Sequence, residues 1–287
     1  MTALSISVVT DAGDKRHVAT RLGRARTVQR VATFQGRNLL RSRWIVAYAL
    51  FFVAVTEALL RFGGNSAGAI LSLANLVLYV VPLITLVVGS VYLYNAREFI
   101  ELLLAQPLER GSLYLGLYAG VTLPLVLSLV LGLSVPFIAR GFESTHQLAM
   151  IGALMATAVA LTTSCSAIAL IIALWCDDRL RGLTAAIGVW MLGAIAYDGL
   201  ILALIAAFGD YPLERPILLL TLANPIDLAR ITLLLQLDVS ALMGYTGAVF
   251  QQFLGGFTGS LVAGSALMLW TIVPFAIGIR MFSRKDF

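Results

Sequence analysis

Long apolar runs separated by short charged segments divide this chain. A run of about 20 largely apolar residues is long enough to cross a bilayer as a helix. Six such runs are present, over 44–60, 69–94, 113–138, 148–175, 183–208 and 257–279. The second, third and fourth carry no charged residue. The first two are joined by a short glycine-rich connection over 61–68, as a tight hairpin requires. Between the second and third runs the pattern changes: Arg97, Glu98, Glu101, Glu109 and Arg110 stand among Phe99, Ile100, Leu102, Leu103 and Leu104. At helical pitch Arg97, Glu101 and Leu104 share one side, and Pro107 ends a helix. This predicts a short amphipathic helix and turn over 95–112, pinned between two spans and placed to touch a partner.

Two further segments lie outside the runs. From Arg26 onward, Arg26, Arg30, Arg37 and Arg41 fall on one helical face, and Val28, Val31, Ala32 and Leu39 fall on the other, with Phe34 out of pattern. Such a helix either lies in the membrane interface with its arginines toward headgroups or presents a solvated basic face before the first span. The long segment 209–256 contains Asn224-Pro225, an N-cap followed by proline at the first helical position, with Asp227 in the first turn. It predicts a helix over 225–237 and a second helical stretch over 239–254. A seventh span over 216–237 is opposed by Asn224, Asp227 and Arg230 near its middle. The expected fold is therefore an all-α integral membrane protein with six transmembrane helices. It adds an N-terminal interfacial helix within 1–43, a cytoplasmic helix between the second and third spans, and a small extracytoplasmic helical cap between the fifth and sixth. Residues 44–287 form one membrane domain.

Composition agrees: 60% of residues are hydrophobic, 12% are charged and mean hydropathy is +0.92, whereas charge approaches a quarter in soluble domains. The net charge of +5 consequently reports orientation, not nucleic-acid binding. With the N-terminus inside, sixteen of the 20 Lys and Arg residues fall on the inner side. The remaining four are Arg61, Arg140, Arg215 and Arg230. By the positive-inside rule, both termini and the 95–112 segment face the cytoplasm. Residues 1–43 hold no apolar signal core, so the first span is expected to serve as an uncleaved anchor. Cys165 and Cys176 lie too far apart along one helix to pair.

Candidate chemistry is sparse. There is no phosphate-binding GxxxxGK[ST] loop, no HExxH and no GxSxG, so the chain is expected to be non-catalytic, without cofactor or metal of its own. Charged residues inside spans are costly unless paired. Glu57 has Arg61 four residues on as a partner. Asp198, next to Tyr197 and deeper in the fifth span, faces either a cavity or a neighbouring helix. His146 and Met150 share a face, with Met155 beyond; that donor set would suit copper, but with only this spacing a structural role is the expected one. Thr157, Thr162, Thr163, Ser164 and Ser166 in the fourth span read as helix-packing groups rather than a polar pathway. The pairs Gly116–Gly120 and Gly255–Gly259 permit close helix approach, and Pro82, Pro124, Pro136 and Pro274 are placed to kink spans.

The run from Glu98 through Glu101-Leu102-Leu103-Leu104-Ala105, Pro107 and Arg110 resembles the coupling segment of ABC-2 type permeases. The ending Phe282-Ser283-Arg284-Lys285-Asp286-Phe287 is similar to that family's basic tail. The stretches 223–230 and 237–247 resemble the outer segment of NosY-type permeases, the membrane subunits of a complex that matures the copper site of nitrous oxide reductase. The resemblance spans roughly residues 37–287. It implies a homodimer in the bacterial inner membrane, bound inside to a dimer of ABC ATPases that carry the ATP and Mg, and outside to a β-helical, NosD-like periplasmic protein. It further implies that Arg97, Glu98, Glu101, Leu104, Gln106, Pro107 and Arg110 contact the ATPase. Asn224, Pro225, Asp227, Arg230, Asp238 and Tyr245 would serve the outer partner. Rival readings are an ion-coupled carrier or intramembrane enzyme centred on Asp198, and a structural anchor for an outer protein.

Overall fold

The computed structural model of the chain describes residues 42–63, 66–105, 109–141, 144–208, 214–236 and 257–285, together with 28–29, 31–33, 36–37 and 39. From residue 42 on, the described residues form these α-helices in order: α1 (Arg43–Phe62), α2 (Ser66–Asn95), α3 (Arg97–Leu104), α4 (Arg110–Arg140), α5 (Thr145–Trp175), α6 (Arg179–Met191), α7 (Tyr197–Phe208), α8 (Glu214–Ala223), α9 (Pro225–Gln236) and α10 (Phe257–Arg284). No strand occurs among the described residues. Among the described residues six helical segments are long and apolar enough to span a membrane, with α6 and α7 counting as one, or seven if the bent pair α8 and α9 counts as a broken span. The six are the runs expected from the sequence, each extended by a few residues at one or both ends.

Local chemistry sets the helix starts. Ser42 caps α1 by accepting from the Trp44 N–H at 3.4 Å, Ser144 caps α5 by accepting from Gln147 N–H at 3.1 Å, and Asp178 caps α6 through Leu180 N–H at 3.3 Å. Each supplies an acceptor for an otherwise orphaned donor of the first turn. Gly141, at φ 79°, closes α4 in a conformation that a side chain would strain.

Helix α5 is the centre of the bundle. It packs against α2, α4, α9 and α10, and 72% of its most apolar stretch is buried. Lipid tails are as apolar as leucine, so close contact and interhelical hydrogen bonds must hold spans together. Small residues allow the contact: a methyl added at Gly89 would stand 2.8 Å from Ala169 Cβ. Ser164 and Thr271 share a hydrogen bond at 2.9 Å between α5 and α10, and Tyr118 donates to Thr163 O at 3.0 Å from α4. Ser164 thus ties α5 to α10, whereas Thr162 donates back to Ala158 O within its own helix at 2.8 Å. The Gly116 surface is occupied within the chain. A Cβ there would lie 2.8 Å from Val31, and Gly120 O and Pro124 face Gly36. The N-terminal segment therefore fills this glycine pair. Gly255, in the second pair, lies outside the described residues.

Two features depart from the expected pattern. The fifth span is not a continuous α-helix: Leu192–Ala196 winds as a π-helix between α6 and α7. The segment after it is a sharply bent pair, α8 and α9, at 106°. Asn224 sits at the corner and caps α9, its Oδ1 accepting from Ile226 N–H at 3.1 Å. Ile226, Leu228, Ala229, Ile231 and Leu233 of α9 belong to the main core cluster, and α9 packs on α2, α5 and α10. The expected 239–254 helix lies outside the described residues.

Candidate functional site

Polar side chains gather at the two ends of the bundle. At the end holding α3 and the described C-terminus, α3 buries one face and exposes the other. Ile100 is 1% exposed, in a cluster with Leu93, Leu113, Tyr114, Leu174 and Phe282. Leu104 packs half-buried against that cluster. Glu98, Glu101, Leu102 and Ala105 are exposed, a spacing that sets all four on one helical face. Leu102 stands 70% exposed among acidic residues.

Arg97 is turned away from that face. Its Nε lies 3.6 Å from Glu101 Oε1, its Nη1 donates to Asp177 O at 3.1 Å, and its Nη2 is 3.6 Å from Asp177 Oδ1. Lys285 Nζ approaches the same carboxylate oxygen at 2.8 Å and donates to Leu174 O at 2.5 Å. Tyr94 donates to Cys176 O at 2.8 Å, and its hydroxyl occupies the space where Gly182 would carry a Cβ. Arg110 Nη1 donates to Ser283 O and Lys285 O at 3.1 and 2.9 Å, holding the end of α10 against the start of α4. The hydrogen bond and charge of Lys285, then the charge of Arg97, hold the Asp177 carboxyl below its ordinary range. Gln106 and Pro107 lie outside the described residues.

At the opposite end the bent α8–α9 pair is fastened to α2 and the fifth span. Arg230 Nη1 donates to both oxygens of Asp198, at 3.0 and 2.9 Å, and lies 3.3 Å from Asp227 Oδ1. Its Nη2 donates to the Tyr79 hydroxyl at 3.0 Å. Asn224 Nδ2 donates to Asp227 Oδ2 at 3.0 Å and to Gly193 O, within the π-turn, at 2.7 Å. Tyr197 donates to Leu220 O at 2.6 Å, and Trp190 donates to Tyr79 O at 2.9 Å. Asn224 and Asp227 are buried, Pro225 half-buried and Arg230 half-buried; their polar groups point at one another and at Asp198. Asp238 and Tyr245 lie outside the described residues. Glu57 accepts from Arg61 at 2.7 Å and from Arg140 at 2.9 Å, the second partner coming from α4.

Asp177, Lys285, Tyr94, Tyr79 and the π-turn were not singled out by pattern. Lys285 entered only as a charge of the tail, Asp177 stood in a short Cys-Asp-Asp turn, and Tyr79 sat inside an apolar run. The only local sign of the π-turn is Gly193. His146 is exposed and Met150 buried, so the two do not converge. Among the described residues no three His, Cys, Asp or Glu side chains form a metal-sized group.

Six apolar spans and a short amphipathic helix between the second and third, with charged fastenings at the two ends, describe a multi-pass membrane protein. No protein-family model matches the chain. It is similar to two proteins named probable ABC transporter permease protein NosY. One, from Pseudomonas aeruginosa, is 26% identical over 262 residues, covering 86% of this chain and 94% of that protein. The other, from Stutzerimonas stutzeri, is 27% identical over 267 residues, with the same shares covered. The resemblance to NosY-type permeases drawn from the sequence is thus shown by relatives that align along nearly their whole length.

Proposed function

We propose that the chain is the non-catalytic membrane subunit of an ATP-driven complex of the ABC-2 type. A separate ATPase dimer, supplying ATP and Mg, docks on the exposed face of α3. The observation that carries this reading is the stripe Glu98, Glu101, Leu102 and Ala105 on a helix whose opposite face is locked into the bundle. Leu102, 70% exposed between carboxylates, offers a partner an apolar contact beside the charges. Docked there, a partner that closes on ATP pushes on a lever already packed against Leu113, Tyr114 and Phe282. The names of the two relatives support the permease role.

The finer reading follows the resemblance drawn from the sequence. The chain works as a homodimer in the bacterial inner membrane, with both termini cytoplasmic, in copper-site maturation of nitrous oxide reductase. Residues 209–256 meet a NosD-like outer protein. Because Asn224, Asp227 and Arg230 point inward, their part is to hold the bent pair in place, while Asp238 and Tyr245 are the proposed contacts. Asp198 has its counter-ion in Arg230, so its charge is accounted for without a carrier mechanism.

The test is co-purification from native membranes in mild detergent, followed by an ATPase assay. Glu98→Lys with Glu101→Lys should abolish capture of the ATPase while the chain remains folded. A cytoplasmic ATPase retained by that variant as by the parent overturns the docking assignment. An outer protein in the parent eluate supports the NosY-type role.

A further inference from the structure

Asp177 lies in the connection between α5 and α6, outside the proposed docking stripe, yet three separate elements end on it. Arg97 of α3 reaches both its backbone oxygen, at 3.1 Å, and its carboxylate, at 3.6 Å. Lys285, just past α10, reaches the same carboxylate at 2.8 Å. The residue itself continues directly from α5, the central helix. One carboxylate therefore stands between two cations, one on the helix proposed to be pushed and one on the tail of the last span.

Lys285 has a second task. Its Nζ donates to Leu174 O, one of the last carbonyls of α5, where a cation complements the helix dipole. The tail is held from the other side too, because Arg110 at the start of α4 takes the Ser283 and Lys285 carbonyls. The end of α10 is thereby clipped between the first turn of α4 and the last turn of α5. Removing the Asp177 charge would leave Arg97 and Lys285 facing the same turn with no anion between them, a repulsive arrangement.

Resting on the ATPase-coupling reading, we propose that Asp177 is the positioning residue that passes displacement of α3 to α5 and to the end of α10. It makes no contact with the ATPase. Ordinary exposed ion pairs contribute little to stability, and this one need not contribute more. Its task is geometric: a single carboxylate keeps three elements in register, so a shift of Arg97 is felt by Lys285 and by the last turn of α5.

The experiment uses the complex purified with its ATPase and compares the parent with Asp177→Asn, Lys285→Met, the double variant, and the reversed pair Asp177→Lys with Lys285→Asp. Asp177→Asn keeps the backbone oxygen and the shape of the turn. Expected are an unchanged ATPase stoichiometry, an unchanged KM for ATP and a fall in kcat of about fivefold at most, the upper scale of one exposed charge contact. The double variant should fall no further than Lys285→Met alone, because losing Lys285 already removes its junction with Asp177. The reversed pair should recover part of the loss. If no ATPase accompanies the parent chain, the coupling reading fails and takes this proposal with it. If the ATPase is present and the variants match the parent in kcat, the proposal alone is overturned. If Asp177→Asn releases the ATPase, Asp177 is a docking residue and the relay is likewise overturned. Should the Asp177→Asn chain itself fail to fold, giving no dispersed protein on detergent extraction, Lys285→Met decides by the same criteria.

Discussion

Replacing Arg230 by methionine tests whether the outer network holds the α8–α9 pair. Arg230 neutralises two carboxylates at once, Asp198 at 2.9 and 3.0 Å and Asp227 at 3.3 Å, and donates to Tyr79. Methionine keeps much of the packing volume but leaves two anions close together, one of them on a side chain only 5% exposed. Breaking a buried pair on one side costs about 3–5 kcal/mol. Asp198 is 36% exposed, which relieves part of that penalty, so about 2–3 kcal/mol is expected. Asp198→Asn should cost much less, about 1 kcal/mol or below, since the amide oxygen still accepts from Arg230 and Asp227 still balances its charge. Asp198→Asn, Asp227→Asn and Arg230→Met together should return to within about 1 kcal/mol of the parent, because no buried charge is left unpaired. The assay is detergent-micelle unfolding by a denaturing surfactant, followed by tryptophan fluorescence. Trp190 and Trp270 report locally, donating to Tyr79 O and Leu222 O. Should Arg230→Met unfold at the parent's midpoint, or Asp198→Asn prove the costlier single change, the pair is not what fastens α9.

Three further outcomes are expected. Gly116→Leu should force the N-terminal segment off α4, since even a Cβ meets Val31 at 2.8 Å; a cost of about 1–3 kcal/mol and faster hydrogen exchange around residues 28–36 would show it. Ser164→Val should weaken the α5–α10 contact by only about 0.6 kcal/mol, in line with membrane hydrogen bonds, measured by the same unfolding assay. The Asp177 carboxyl is held low by Lys285, so its contribution is present above the unfolded value of about 3.9 and is lost as pH falls through the lower folded one. Hydrogen exchange at Ser283–Lys285 should therefore speed up only under strong acid, and Asp177→Asn should abolish that dependence.

The spans were legible because twenty apolar residues in a row have one physical solution in lipid. The corner at Asn224 was legible for a different reason: an amide followed by proline both caps a helix and prevents its continuation upstream. Where pattern reading stopped was at side chains whose partners lie far along the chain. Asp198 could be recognised as costly, but Arg230, 32 residues on, was counted as a charge outside the membrane. The direction of Arg97 was equally hidden. Helical pitch placed it beside Glu101, and it does lie near it at 3.6 Å; nothing local announced that Asp177, 80 residues away, would turn it from the exposed face. Arg110 likewise reads as a surface cation until Ser283 and Lys285 are seen to occupy it.

These placements divide the proposed coupling residues by task. Glu98 and Glu101 are exposed and offer charge to a partner, whereas Arg97 and Arg110 spend their donors inside the chain. Reversing Glu101 should therefore weaken capture of the ATPase, while Arg110→Glu should free the end of α10 from α4 and leave capture largely intact. The same division runs to the other end. Helix α5 touches α2, α9 and α10; its last turn is held by Lys285, and α9 is tied by Arg230 to Asp198 and Tyr79. A displacement delivered at α3 thus has a packed route through α5 to the bent pair. On that route, loosening either end should produce the same fault: ATP hydrolysis continues with the outer segment unresponsive. Cross-link yield between a cysteine at Leu219, which is 67% exposed on α8, and the co-purified outer protein, compared with and without ATP, measures that response. Nucleotide should change the yield in the parent and not in Arg230→Met. A yield in Arg230→Met that still follows nucleotide would show that the route bypasses α9.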